Sequence, residues 1–456
     1  MKLTVLGLWH LGCVTAACSA EKFTVRGLDF DEITVAKLAQ GIPPIHEPGL
    51  IGLIKSGLDR GTLSFTTEAS LACADADVLW ACHDTPVDED DRADVDFVLD
   101  RIRRCLAHLR SGAVVLISSQ LPAGTCARLQ KEFPQFSFAC SPENLRLGQA
   151  IDAFRKAERI IVGVRDDKTK DCLAPLLGAF CSNLIFMSPE SAEMTKHALN
   201  GFLALSVSYA NEIARVCERV GADARQVEAG LKSDVRIGPR AYLSPGPAFA
   251  GGTLARDVAT LTDLGRQYGE ELVLIPSIKT SNDRHKGWAL AQLHRHLGSL
   301  SGKTVAVLGL TYKPQTSTLR RSSSVELCRQ LISAGAVVRT FDPGATEIDL
   351  AQALRELDQP LTLSLSPALS GGEGARRAGE GAAHRFDMTF EQSAINAMTG
   401  ADAVVIGTPW PEFRQIDWPK ALESLGKAVI IDAHGFVRAQ VSQLPGVTYQ
   451  TVGSLS

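Results

Sequence analysis

A strong net charge, a long apolar run and paired cysteines are all missing from this chain, and each absence excludes something. Acidic and basic side chains nearly cancel, leaving a formal charge of −4, so there is no basic footprint for nucleic acid. No apolar stretch approaches the ~18 residues of a membrane-spanning helix. The opening MKLTVLGLWHLGCVTAAC looks like a leader, but His10 interrupts it and no small-residue cleavage site follows. It reads better as a first strand and turn. The 11 cysteines are scattered, odd in number and lack any CxxC pair. Reduced thiols and a cytoplasmic protein are therefore expected, rather than disulfides or a metal centre.

What remains is ordinary globular composition, 45% apolar and 21% charged over 456 residues, enough for about three domains. Lys2 to Leu6 reads as a strand running into Gly7-Leu8-Trp9-His10-Leu11-Gly12, then a helix rich in Ala and Cys, then a strand Phe23 to Leu28 ending in Asp29. Strand, glycine turn, helix, strand and acid is the dinucleotide-binding layout. Gly7 permits the tight turn, Gly12 lets helix and strand pack closely, and Asp29 accepts hydrogen bonds from the adenosine ribose, favouring NAD over NADP. Trp9 stands where the middle glycine is expected, with the consequence of altered or weakened cofactor binding. Further strands are predicted at Val78 to Cys82, Ala113 to Ile117 and Arg159 to Val162, closing a doubly wound sheet near Met187.

A long amphipathic helix follows, capped by Ser188, begun by Pro189 and stopped by Gly221, with apolar residues at Met194, Ala198, Phe202, Leu205, Tyr209, Ile213, Val216 and Val220. Lys196 and Asn200 stand four apart and share a face; taken alone they read as a solvated helix face. A second α/β unit is predicted from strands at Thr304 to Gly309, Val337 to Phe341, Ala403 to Ile406 and Ala428 to Ile431. The fold class is thus α/β, two Rossmann-like doubly wound domains joined by a long central helix. The expected domains are 1–187, 188–296 and 301–456, with the Gly-, Ala- and Arg-rich stretch 364–384 a flexible insertion.

Seven stretches occur in order: GIPPIHEPGL, SSQLPAGT (118–125), SPENLRLGQAIDAF (141–154), EMTKHALN (193–200), IGPR (237–240), FAGGTLARD (249–257) and YKPQTSTLRRS (312–322). Together they resemble the UDP-glucose/GDP-mannose dehydrogenases, nearly end to end. That resemblance implies two successive oxidations of a sugar's primary alcohol by NAD⁺, with a UDP-hexose as the conservative substrate, in polysaccharide biosynthesis. It implies acid–base work at Lys196 and Asp257, oxyanion support from Asn200 with Lys196, and hydrolysis of an acyl intermediate assisted by Glu143. It further implies substrate contacts at Arg240, Phe249, Gly251 and Lys313, with Arg240 serving a neighbouring subunit. Cofactor contacts would fall at Thr85, Thr125 and Arg320 beside Gly7, Gly12 and Asp29, and the central helix would be the contact of a homodimer or higher homo-oligomer.

One departure bears on the chemistry. FAGGTLARD places Thr253 where the family pattern FGGSCFxKD carries the nucleophilic cysteine, and Arg256 replaces its lysine. A hindered hydroxyl without a dedicated base is a far weaker nucleophile than a thiol. Nothing in that loss forbids the first oxidation, but the second loses its covalent route. Cys140 is the nearest substitute by sequence, although a buried structural role suits it better. His434 stands where the family usually carries a substrate-binding arginine, and Ser317 and Thr318 replace acids. Three alternatives stay open: a single oxidation stopping at aldehyde or ketone, a non-catalytic nucleotide-sugar-binding homologue, and, last, a hydroxy acid dehydrogenase with a similar amino-terminal half.

Overall fold

The computed structural model describes residues 1–86, 88, 92–142, 145, 147–250, 252–319, 321–356, 388–423, 425 and 428–454. The expected insertion at 364–384 lies outside them. The chain divides into two compact units, one of residues 1–200 and 259–271, the other of 201–258 and 272–456. A 32-residue helix, Pro189–Val220, contributes to both.

The first unit is built on an eight-stranded sheet: β1 (Lys2–Leu6), β2 (Thr24–Leu28), β3 (Leu63–Thr66), β4 (Val78–Ala81), β5 (Val114–Ile117), β6 (Ser137–Cys140), β7 (Ile160–Gly163) and β8 (Leu184–Met187). Their order in the sheet is β3-β2-β1-β4-β5-β6-β7-β8, parallel except between β6 and β7. The middle strands VLWA and VVLI are wholly buried, as strands covered on both faces must be. Between β1 and β4 the winding reverses, and the crevice outside the carboxyl ends of such strands is where α/β folds take ligands.

The second unit repeats the plan with β9 (Thr304–Leu308), β10 (Val337–Phe341), β11 (Met388–Phe390), β12 (Ala403–Ile406), β13 (Ala428–Asp432) and β14 (Val447–Gln450). The order is β11-β10-β9-β12-β13-β14, all parallel. Both units use the same turn. Gly7 and Gly309 each adopt φ +91°, and the next amide donates to the aspartate that follows the neighbouring strand: Leu8 N to Asp29 Oδ2 at 2.7 Å, Leu310 N to Asp342 Oδ2 at 2.6 Å.

The long helix begins as expected, with Ser188 Oγ accepting from the amide of Ser191 at 3.2 Å, and ends at Gly221 with φ +77°. Its buried apolar residues are small, Ala192, Ala204, Ala210, Ala214 and Cys217. The apolar stripe is largely solvent-facing, with Phe202 64%, Tyr209 45%, Val216 57% and Val220 70% exposed, whereas polar Ser206, Ser208 and Asn211 are buried. Each buried polar side chain has a partner: Ser206 donates to the Phe202 carbonyl of its own helix at 2.8 Å and Ser208 to the Ile278 carbonyl at 3.4 Å. Asn211 accepts from the amide of Gly246 at 2.9 Å and donates to the Pro247 carbonyl at 3.2 Å.

A buried histidine braces the same loop. His285 is 3% exposed. Arg215, which can only donate, meets its Nδ1 at 2.8 Å, so Nε2 carries the proton and donates to the Gly246 carbonyl at 2.8 Å. Burial foremost, and the nearby Arg215 charge, push its pKa down to about 4, against the pull of the Gly246 carbonyl. Between pH 6.5 and 4 the unfolded chain therefore holds the extra proton, and stability falls as pH falls through that window. The expected contribution is about 3 kcal/mol at full extent. Urea unfolding at pH 7.0 and 5.0 should show about 2 kcal/mol of this loss, and His285→Gln should remove its share of the slope; equal slopes in both proteins would contradict the assignment.

Candidate functional site

The glycine turn after β1 leaves no room for side chains. A Cβ on Gly12 would stand 1.6 Å from the Gly7 carbonyl oxygen, and one on Gly7 would stand 2.6 Å from Cγ of His83. The helix His10–Ser19 starts here with no acid in its first turn and no side-chain cap from Trp9, as an anion-binding helix start requires. Asp29 is half-buried, accepts from Leu8 N and, at 3.1 Å, from Asp31 N, and still has acceptor capacity for a ribose hydroxyl. Asp342, its counterpart in the second unit, is 2% exposed and takes bonds from the amides of Leu310, Thr311 and Gly344, the Thr311 hydroxyl and the Trp410 indole. That carboxylate is spent on its own fold. The residues of the first turn fit the diphosphate and ribose of a dinucleotide. Trp9 has ordinary φ of −92° and its ring is 50% exposed, so the backbone tolerates it where glycine is customary.

Beside the turn, His10 Nε2 meets Glu47 Oε2 at 2.9 Å, while Glu47, 3% exposed, accepts from the amides of Gly148 and Ala150 at 2.7 and 2.9 Å. The motifs GIPPIHEPGL and LGQAIDAF are thereby tied together.

A second cluster gathers after β5 and on the long helix. Ser118, Ser119, Gln120, Cys140, Lys196 and His197 line a recess of about 20 Å³, room for about one water. Glu193, one turn before Lys196, accepts from Gly124 N at 2.6 Å and Cys126 N at 2.9 Å; burial holds its carboxyl above the usual range despite these donors. His197 meets the Leu121 carbonyl at 3.0 Å. Thr85 and Thr125 are buried, donating to the carbonyls of Gln120 at 2.8 Å and Pro122 at 2.6 Å. Asn200 is only 5% exposed and Lys196 half-buried, so this helix face is not the solvated one that the two residues suggest in isolation. Cys140 is buried and donates to the Pro189 carbonyl at 3.4 Å. With Cys126 and Glu193 it forms a buried group whose ligand-type atoms lie within 4.8 Å of one another, a grouping invisible in scattered sequence positions.

Other expected residues belong to the second unit. Asp257 is fully buried on the helix Gly252–Tyr268, and Thr253 is exposed on its first turn. Phe249 is fixed by Asn282, which accepts from its amide and donates to its carbonyl, both at 2.9 Å. Arg240 is exposed and Lys313 half-buried. His434 donates from Nε2 to the Gly407 carbonyl at 3.1 Å, and burial lowers its pKa. Glu143, Gly251 and Arg320 lie outside the described residues. Sequence reasoning missed Glu193 as a turn brace, though it sits inside EMTKHALN, and missed His83, which no motif flags.

Residues 1–180 match the NAD binding domain of the UDP-glucose/GDP-mannose dehydrogenase family, 190–284 its central domain and 306–439 its UDP binding domain. The chain is 33% identical to the UDP-glucose 6-dehydrogenase of Pseudomonas aeruginosa over 470 residues, covering 99% of this chain and 97% of that one. It is 30% identical to UDP-glucose 6-dehydrogenase TuaD of Bacillus subtilis, covering 99% and 93%. A solved UDP-glucose dehydrogenase from the archaeon Pyrobaculum islandicum superposes with a TM-score of 0.82 at 28% identity, over 100% of this chain and 98% of that one. No helix among the described residues is long and apolar enough to cross a membrane. From the glycine cradle, the ribose-reading aspartate and these matches, the chain belongs to the UDP-glucose/GDP-mannose dehydrogenase family and is an NAD-dependent oxidoreductase acting on a CH–OH group of a nucleotide-sugar.

Proposed function

We propose that the protein oxidises UDP-glucose at its primary alcohol to the UDP-uronic acid. The observation that carries this reading is the buried Asn200 one helical turn from half-buried Lys196, beside a recess that holds about one water, in the unit that carries the glycine cradle. NAD⁺ accepts the hydride. The chain's own residues handle the proton and the oxygen. Lys196 and Asp257 relay the hydroxyl proton through water as C–H bond electrons leave. Asn200 and Lys196 then stabilise charge building on the oxygen. With Thr253 in place of a thiol, the second oxidation runs through the aldehyde hydrate: water adds to the carbonyl, and the hydrate gives up a second hydride and proton to become the acid. Arg240, Phe249, Gly251 and Lys313 hold the nucleotide-sugar, Glu143 directs the water that adds to the aldehyde, and Thr85, Thr125 and Arg320 contact the cofactor.

A second reading has a specific observation behind it. Thr253 is exposed, and Cys140, its nearest substitute by sequence, is buried with its thiol turned to the Pro189 carbonyl. An enzyme so equipped could stop at the aldehyde. Counting NADH per sugar on a panel of nucleotide-sugars, with product masses, decides. The hydrate route gives two NADH per UDP-glucose and only the acid, and Thr253→Cys should speed acid formation. One NADH with a trappable aldehyde establishes the shorter reaction, and a panel with no turnover rejects both.

Lys196→Ala should lower turnover by at least about a hundredfold while moving the melting temperature by no more than a few degrees, since a half-buried lysine adds little stability. Asn200→Ala is its companion. Turnover near that of the unaltered protein would remove either residue from the chemistry.

The solvent-facing apolar stripe of the long helix suits a second copy of the chain, and we propose a homodimer through it. Sedimentation should show the dimer, and the double substitution Phe202→Asp with Tyr209→Asp should yield monomer; a dimer that survives both changes would place the contact elsewhere.

A further inference from the structure

We propose that His83 donates a hydrogen bond from Nε2 to NAD, to an oxygen of its second phosphate or of the ribose attached to that phosphate. The argument begins with topology. The sheet reverses its winding between β1 and β4. Gly7 follows β1, and His83 lies two residues past the end of β4, so the pair flanks the crevice where dinucleotides bind. They are in intimate contact: the position of a Cβ on Gly7 is 2.6 Å from both Cγ and Nδ1 of the imidazole. Asp29, the ribose reader, follows β2 on the other side of β1. A dinucleotide that starts at Asp29 and crosses the glycine turn reaches β4 with the half beyond its first phosphate.

The imidazole has an unmet need there. His83 is 7% exposed, and its Nε2 is buried without a hydrogen-bond partner among the described residues, a costly state in a folded interior. The ring is held edge-on against Phe97 at 5.7 Å, and the Arg101 guanidinium stacks 3.4 Å from the centre of that same Phe97 ring. The charged groups about it are Asp29 past β2, Asp84 next in sequence and Arg101 on the helix Val95–Leu106. Burial foremost pushes its pKa down to about 4, with Asp29 opposing and Arg101 assisting. At neutral pH the ring is therefore uncharged, with a single N–H to give. The matching residue of the second unit shows the contrast. Thr408 crowds Gly309 with its backbone, its carbonyl oxygen 2.4 Å from a Cβ there, and its hydroxyl donates to the Thr311 carbonyl. The second unit satisfies this position internally, and the first leaves it for a ligand.

The test measures binding, not turnover. Calorimetry with AMP, ADP, ADP-ribose and NAD⁺ is run on the intact protein, on His83→Phe, which keeps a ring against Phe97, and on His83→Gln, which restores a donor. AMP affinity should stay within about twofold in both variants. For NAD⁺ and ADP-ribose, His83→Phe should weaken binding about ten- to a hundredfold, the size of a bond to a charged group, and His83→Gln should recover much of it. A loss already present with ADP assigns the contact to the phosphate; one that first appears with ADP-ribose assigns it to the ribose. Unchanged NAD⁺ affinity in His83→Phe, or an equal loss for AMP, overturns the proposal. Should the variants fail to fold, histidine C2–H exchange on the unaltered protein decides the matter. The apparent pKa of His83 should rise with ADP-ribose and not with AMP, because a nearby anion favours the charged ring. No rise overturns it.

Discussion

One constraint recurs in both halves of this chain, and much else depends on it. A carboxylate at the end of one strand takes the backbone N–H of the turn that ends its neighbour: Asp29 with Leu8, and Asp342 with Leu310. The bond holds a glycine at φ +91° at a place where any side chain would strike the residue two past the neighbouring strand, His83 or Thr408. What each unit does next follows from how much of the carboxylate remains. Asp342 is closed off by the Trp410 indole and three amides, so its turn is a structural joint. Asp29 keeps accepting capacity at a half-open position, so its turn can serve a cofactor. One architectural device thus leaves acceptor capacity in the first unit and uses it up in the second.

The long helix also uses buried polar groups to hold backbone. Its buried positions are small, Ala204, Ala210, Ala214 and Cys217, or polar and partnered, as Asn211 is with Gly246 and Pro247, while the bulky Phe202, Tyr209 and Val216 are outside. Glu193 does the same for the turn after β5, fixing Gly124, which needs φ +93°, just before Thr125. A carboxylate buried on two amides positions that loop through direction rather than charge, and burial accordingly keeps its proton affinity high.

Much of the fold was legible because the signals were long and redundant. The buried runs of β4, β5, β9 and β13, the glycine turn and the capped 32-residue helix each carry several residues pointing the same way. The strands that escaped notice, β3, β6, β8, β11 and β14, are three or four residues long, and β8 and β11 keep most of their residues only half-buried. Of the candidate site, the turn built by Gly7, Gly12 and Asp29 could be read from spacing, since its geometry is local. Lys196 and Asn200 could not, because a helix face says nothing of what covers it. His83 carried no signal at all: its meaning comes from the neighbour that sheet order gives it, 76 positions away in sequence by the numbering of Gly7 and His83.

The cysteines have a chemical corollary. All 11 are free, and only Cys172 is less than fully buried; the thiols of Cys13, Cys18 and Cys328 are pushed up by burial. Thiolate is the reactive form, and it is suppressed where water is excluded. Electrophiles that disable thiol enzymes by alkylation therefore find Cys172 as the one partly accessible target in the native protein, and Thr253 presents them with an alcohol. Resistance to such reagents is built into this chain by packing, and it lasts as long as the fold does.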